Sequence, residues 1–268
     1  MICWQNSWGK NIFLTAGEVA FFPKPFDHSG TKEARKYLGT KKKPEMNSIL
    51  NFPLNTAINR VFIEKKPTST LSFRMESIQE NFQRSDQLLN FIDNHDAARL
   101  LSKSDRQTMR QALLFIMTIP GVPVIYYGTE QELTGMRQTM FKGGVGSIDK
   151  DHFDTENAYF KFVRGLIKLR KSNEVFRRGK LKILRDNSYG PGLFVYEMKL
   201  DDVTALILIN TSANLQLIDG LSIPAFSPGN YVSKYSIGVG NEILSVSNDR
   251  IIDMILDCLL YTSDAADE

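Results

Sequence analysis

Two carboxylates in this sequence stand where α/β proteins do chemistry. Glu18 falls near the end of an apolar run from Asn11 to Val19 (NIFLTAGEV), and Asp96 lies just past another, Leu88 to Ile92, in Asp93-Asn94-His95-Asp96. Polar groups at the C-terminal end of a parallel strand face the crevice where such folds bind ligands. A carboxylate there is partly desolvated, which raises its pKa and suits a general acid. A second carboxylate on a nearby strand completes the pair that glycosidic cleavage needs: one proton donor, and one negative partner for an oxocarbenium-like transition state. His95, between Asn94 and Asp96, is set apart by its place from His28 and His152. Plainer readings stand beside these. A strand-end Glu is often a surface residue, and short carboxylate motifs recur by chance. A metal phosphohydrolase would use His95-Asp96 differently, but it needs further His and Asp ligands grouped on helices, and the chain has 3 His.

The elements that must hold these groups follow from periodicity. Asn11 to Val19 and Ser48 to Leu54 read as buried strands, with a Pro-, Gly- and Phe-rich loop between them. Leu71, Met75, Ile78 and Phe82 share one helical face. Leu88 to Ile92 is a third strand. Ser104 to Thr118 is a helix, with Ser104 and Gln107 spaced as a capping box. Pro123 to Tyr127 is a fourth strand, closed by Gly128, and a last helix spans about 157–177. Apolar strands alternating with helices predict parallel strands covered on both faces. After Gly179 the pattern changes: Leu193 to Leu200 and Thr204 to Ile209 are β-rich runs joined at Asp201-Asp202, with shorter β-like pieces to about Leu256. An antiparallel domain is expected there.

Composition narrows the partners. Lys plus Arg (33) against Asp plus Glu (30) leaves +3 over 268 residues, with the basic clusters short and scattered, so neither a nucleic-acid nor a membrane partner is expected. Gln111 to Thr129 is uncharged over 19 residues, but Pro120, Gly121 and Pro123 break it, so it reads as a buried helix followed by a strand. Cys3 and Cys258 build no disulfide framework or zinc spacing. Met1 to Trp4 lacks the basic and apolar regions of a signal peptide, and localisation stays open.

Three segments come in a telling order: Gly17-Glu18-Val19, then FIDNHD (Phe91 to Asp96), then GVPVIYYGTEQ (Gly121 to Gln131). Together they resemble the late signature regions of the alpha-amylase family of glycoside hydrolases, and the likeness extends to about residue 210. The resemblance implies the C-terminal half of a (β/α)8 TIM barrel, strands five to eight, over 1–177. An antiparallel β domain over 178–257 and a foreign-looking tail over 258–268 would follow. It implies that Glu18 is the general acid/base, that Asp96 grips sugar hydroxyls and stabilises the transition state, and that His95 hydrogen-bonds the sugar. Arg99 then helps hold sugar hydroxyls or the loop, with a surface ion pair as its plainer reading. The family nucleophile is an Asp two residues after an Arg on the fourth strand. Only 17 residues precede Glu18 and none forms Arg-x-Asp; the one such motif, Arg84-Ser85-Asp86, falls where no family motif belongs. The chain is thus expected to lack the nucleophile and to be inactive alone. Calcium is common in the family, its ligands mainly in the absent half, so no cofactor is assigned. The implied partner is an α-glucan or maltooligosaccharide. Gly128-Thr129-Glu130-Gln131 and the stretch Phe141 to Asp154 are similar to bacterial amylases and cyclodextrin glucanotransferases. The latter usually carry an aromatic two residues after the acid, where Ala20 stands here, followed by Phe21 and Phe22, which favours hydrolysis over transfer. A glucan transglycosylase and a non-catalytic amylase-like scaffold are the alternatives; retention of Glu18, His95 and Asp96 weighs against the second.

Overall fold

The structure, a computed structural model, describes residues 2–5, 11–40, 42–147, 149–237 and 243–256. The tail expected at 258–268, with Cys258, lies outside them. A hairpin of β1 (Ile2–Gln5) and β2 (Asn11–Leu14) comes first. Thr15 then redirects the chain: its backbone N–H and its hydroxyl both donate to Asn47 Oδ1 at 2.9 Å. That clasp aligns β3 (Ala16–Gly17) in parallel with β4 (Ser48–Ile49). The strand expected over 11–19 is therefore two elements serving two sheets.

Between them lies α1 (Ser29–Lys36). The strand expected over 48–54 stops early, because Asn51 caps α2 (Phe52–Ile58) by accepting from the Leu54 N–H at 3.2 Å. Pro53 in the first turn, without an N–H and with its φ preset, suits a helix start and not a ladder. α2 runs on into a π-type turn, Asn59–Ile63, and α3 (Ser69–Asn81) buries Leu71, Met75 and Ile78. β5 (Leu89–Phe91) and β6 (Val122–Val124) pair in parallel around α4 (Arg106–Thr118). Asp105, not Ser104, caps α4: its carboxylate accepts from the Thr108 N–H at 2.6 Å. The Ser104 hydroxyl donates instead to Leu100 O at 2.9 Å. A charged cap also meets the positive end of the helix dipole. An isolated bridge from Leu50 to Leu89 joins β4 to β5. The order is thus β3-β4-β5-β6, all parallel, with helices in the connections: four strand–helix units of a (β/α)8 barrel.

The helix expected over 157–177 is two, α5 (Ala158–Ser172) and α6 (Val175–Arg178), because Asn173 turns extended. Antiparallel strands follow. β7 (Lys180–Arg185), β8 (Leu193–Leu200) and β9 (Val203–Asn210) form one sheet. β10 (Gln216–Ser222) pairs with β13 (Ile251–Leu256), and β11 (Gly229–Val232) with β12 (Ile243–Val246). β8 alternates faces, as a strand must. Phe194, Tyr196 and Met198 enter the core built on α2, α3 and α4, whereas Leu193 and Val195 join a second cluster with Ile218, Ile223 and Ile252. Phe115 on α4 meets Phe194 and Tyr196 at ring distances of 5.8 and 6.1 Å, and Gln111 donates to Asn210 O at 2.7 Å. The junction expected at 177/178 falls inside the last turn of α6, two residues before β7 begins, and one hydrophobic core is continuous across it. No described helix is long and apolar enough to cross a membrane.

Among the described residues, no strand pairs with the outer edge of β3 or of β6. Free parallel edges are pairing templates that a closed barrel abolishes. The 268-residue chain is expected to self-associate; a monomeric mass by static light scattering together with a cooperative melt would contradict this.

Candidate active site

Glu18 follows β3 and Asp96 follows β5, so both emerge at the C-terminal end of the sheet. Gly17 lets the chain pass beneath Met46, whose sulfur occupies the place a Cβ would need. The turn after β5 is set by its own side chains. Asn94 Oδ1 accepts from the Asp96 N–H at 3.1 Å, which folds His95 and Asp96 outward while Asp93 and Asn94 stay buried. The ligand atoms of Glu18, His95 and Asp96 all lie within 4.8 Å of one another, and all three residues are exposed. The desolvation expected at Glu18 from its strand-end position is therefore absent in this structure.

Asp96 is held from two sides. His95 Nε2 lies 3.4 Å from Oδ2, and Arg137 donates from Nη2 to Oδ1 at 2.7 Å and from Nε to His95 O at 2.9 Å. Arg137 was not among the residues expected from sequence. It sits six residues beyond the GVPVIYYGTEQ segment, in a loop with no periodicity to mark it.

Arg99 requires a correction. It is 1% exposed, so neither a sugar hydroxyl nor a surface partner reaches it. Its guanidinium donates to Tyr127 O at 2.7 Å, Gly135 O at 2.8 Å and Thr129 Oγ1 at 3.4 Å. It also lies over the rings of Tyr126 and Tyr127, at 4.3 and 5.1 Å. It holds the loop after β6, the other half of the role the resemblance implied. Beside it, Asp93 accepts from the Leu100 N–H at 3.0 Å and from Thr129 Oγ1 at 3.5 Å. Burial raises the Asp93 pKa, opposed by these bonds and by the Arg99 charge.

Glu18, His95 and Asp96 are also the one described group of this size that could ligate a metal. One imidazole and two exposed carboxylates do not fit calcium, which takes six to eight oxygen ligands. No step here runs through a metal.

Residues 26–155 match the alpha-amylase catalytic-domain family; His95, Asp96, Arg99 and Arg137 fall inside that span and Glu18 outside it. A cyclomaltodextrin glucanotransferase of Paenibacillus macerans is 31% identical over 231 residues, 85% of this chain and 31% of its own. One of Niallia circulans is 30% identical over 254 residues, 91% of this chain and 33% of its own. The chain thus spans about a third of the length of these relatives. Among solved structures, an alpha-amylase of Geobacillus thermoleovorans complexed with acarbose superposes with a TM-score of 0.69 at 20% identity, over 91% of this chain and 51% of that one. The gamma-cyclodextrin glucanotransferase of an alkalophilic Bacillus clarkii gives 0.71 at 24%, over 91% and 34%. The fold is that of the barrel glycosidases. Over residues 26–155 the chain is of the alpha-amylase catalytic-domain family of glycoside hydrolases.

Two expectations follow from this geometry. Because its folded pKa is raised above the ordinary 3.8, Asp93 contributes stability that is full below that value and is lost as pH rises through the folded pKa. Asp93→Asn removes this dependence. The melting midpoint of the variant minus that of the wild type should therefore climb as pH rises from about 4; a flat or falling difference would refute the assignment. Arg137 and Asp96 are both more than half exposed, so Arg137→Ala should change stability by no more than about 1 kcal/mol. It should still move the Asp96 carboxyl resonance in a ¹³C spectrum. A large loss of melting temperature would make Arg137 a structural residue instead.

Proposed function

We propose that this protein acts on α-glucosidic bonds of starch-like glucans or maltooligosaccharides by the retaining route. The observation that carries the reading is the convergence of Glu18, His95 and Asp96 within 4.8 Å at the C-terminal ends of parallel strands. Glu18 protonates the leaving glycosidic oxygen and then, as the base, activates the incoming water. Asp96, oriented by Arg137, accepts from sugar hydroxyls and stabilises the oxocarbenium-like state, and His95 hydrogen-bonds the same sugar. A retaining enzyme also needs a nucleophilic carboxylate opposite the acid. Asp86 cannot serve. It sits in the turn Ser85–Gln87 that precedes β5, at the opposite end of the sheet from Asp96, with both oxygens taken by Arg84 at 3.0 Å. The chain alone is thus proposed to lack turnover.

Transfer to a sugar acceptor is the second reading. The curated relatives named above are glucanotransferases, and Phe22, four residues past Glu18, is 69% exposed with its ring braced edge-on against Phe52 at 5.5 Å. An exposed apolar ring on the segment that follows the acid favours a sugar over water as the incoming group.

The 268-residue chain should release reducing sugar from soluble starch no faster than a blank. Joined behind the upstream strands of the Paenibacillus macerans glucanotransferase, it should act on starch, and Glu18→Gln should lower that rate by roughly 10²–10⁴-fold. A chimera whose activity survives Glu18→Gln would overturn the acid/base role, and turnover by the chain alone would overturn the missing-nucleophile reading.

A further inference from the structure

The parallel strands end in two open edges, one at each end of the order β3-β4-β5-β6. Interior strands of a parallel sheet are covered on both faces. On β6, by contrast, Val122 is 46% exposed and Val124 only half-buried. A cavity of about 290 Å³ adjoins the end of this strand, lined by Ile125 and Glu130 and by Phe160, Val163, Arg164 and Ile167 of α5. Those α5 positions are spaced i, i+3, i+4 and i+7, so they form one stripe along the open edge.

The register indicates what fits there. Gly17 pairs with Ile49, Leu50 bridges Leu89, and Leu89 pairs with Val122. Along the hydrogen bonds Glu18 is therefore level with Leu50, Leu89 and Val122. Yet Glu18 meets Asp96 at the top of the sheet, and Asp96 lies seven residues past Leu89. Lines of equal register thus sink toward the base on passing from β3 to β6, which is the strand tilt that a barrel requires. An eight-stranded barrel of this class has a shear of about eight residues, so four strands account for about four. Counted back through the same pairs, Val124 is level with Ala20 of its own chain. One strand beyond β6 it would meet about residue 16 of a second copy. Four strands are half of a closed barrel. A second copy, related by a twofold along the barrel axis, brings β3 to β6 and β6 to β3 at once, both parallel and both in this register.

Charge agrees with a second copy. α1, behind the β3 edge, carries Lys32 and Arg35. Glu130 borders the β6 edge, where Arg164 already lies over the Phe160 ring at 5.9 Å. The site gains as well, because Glu18 is exposed on the edge strand and another β6 would give it a neighbour on its open side.

We propose that two copies of this chain close one eight-stranded barrel, β3 of each pairing in parallel with β6 of the other, and that the loop after the partner's β6 covers the open side of Glu18. Closure fixes both the number of copies and the pairing, where a free edge alone fixes neither. Neither copy supplies a nucleophile opposite the acid, so the closed pair is expected to be as inactive as the single chain.

Sedimentation equilibrium of the 268-residue chain should give twice the chain mass, with no larger species as concentration rises. In a Cys3→Ser, Cys258→Ser background, Ala16→Cys combined with Val124→Cys should cross-link on mild oxidation, since neighbouring strands lie about 4.8 Å apart, within disulfide reach. The product should run as a dimer and stop there, because both joints close. Ala16→Cys alone and Val124→Cys alone should not cross-link, since each position lies across the barrel from its copy. Before oxidation the double variant should keep the wild-type mass and circular dichroism, which shows that it folds and pairs. A monomeric wild type overturns closure, and so does a ladder of higher multimers, the mark of an open run of copies. Cross-linking by Ala16→Cys alone, the mark of two β3 strands meeting edge to edge, overturns it too, as does a dimeric double variant that stays reduced.

Discussion

The site depends on one buried cation. Arg99 leaves the turn after β5 and is spent on the loop after β6, where it takes the carbonyls of Tyr127 and Gly135 and lies over two tyrosine rings. A buried guanidinium without such partners would be strongly destabilising, so the loop can depart only by stranding that charge. Asp93 stands beside it and reaches the same Thr129 hydroxyl. The ends of β5 and β6 are locked together from below, and Arg137 then reaches back from the far end of the locked loop to Asp96. One arginine fixes the platform, and a second uses it to aim a carboxylate.

What could be read from the residues divides along physical lines. The parallel α/β arrangement was legible because short apolar runs separated by helical periodicity leave few topologies. The places of Glu18, His95 and Asp96 were legible because chemistry gathers where parallel strands end. Boundaries were less legible. Pro53 turned an expected strand into a helix start, Thr15 split another strand through a bond to Asn47, and Asn173 broke a helix. Each of those outcomes rests on a tertiary partner or a local cap that a window of apolar residues does not encode. Arg99 shows the limit most clearly: a charged residue three positions past Asp96 invites a ligand role, and only its burial reveals that its guanidinium serves two backbone carbonyls and a loop hydroxyl. Arg137 carried no signal at all, since its partner is 41 residues away in a loop without repeat.

The β region contributes to the same frame. β8 places Phe194 and Tyr196 against α4, and α4 is the crossover that carries the chain from β5 to β6. The antiparallel sheet therefore braces the connection between the two strands whose ends build the site. Arg170 on α5 acts on the same connection: it donates to Met117 O and Ile119 O at 2.8 and 3.0 Å and also to Gly121 O. Burial pushes its pKa down to about 10, which still leaves it charged near neutrality. The backbone where α4 turns into β6 is thus fixed by a sheet on one side and a cation on the other.

The way Asp96 is held bears on what it can do. A carboxylate offers about four lone-pair directions. Arg137 takes one on Oδ1 and His95 lies against Oδ2, so the group is oriented but not saturated. Directions remain for two further donors, the number that the hydroxyl grip proposed for Asp96 requires. Both neighbours are exposed side chains that can adjust as a sugar arrives, whereas the Asn94 bond to the Asp96 N–H fixes the backbone beneath. Precision thus comes from the buried turn and adaptability from the exposed clasp, a division suited to the role proposed for Asp96, in which a ground-state sugar is bound loosely and its flattened, positively charged transition state tightly.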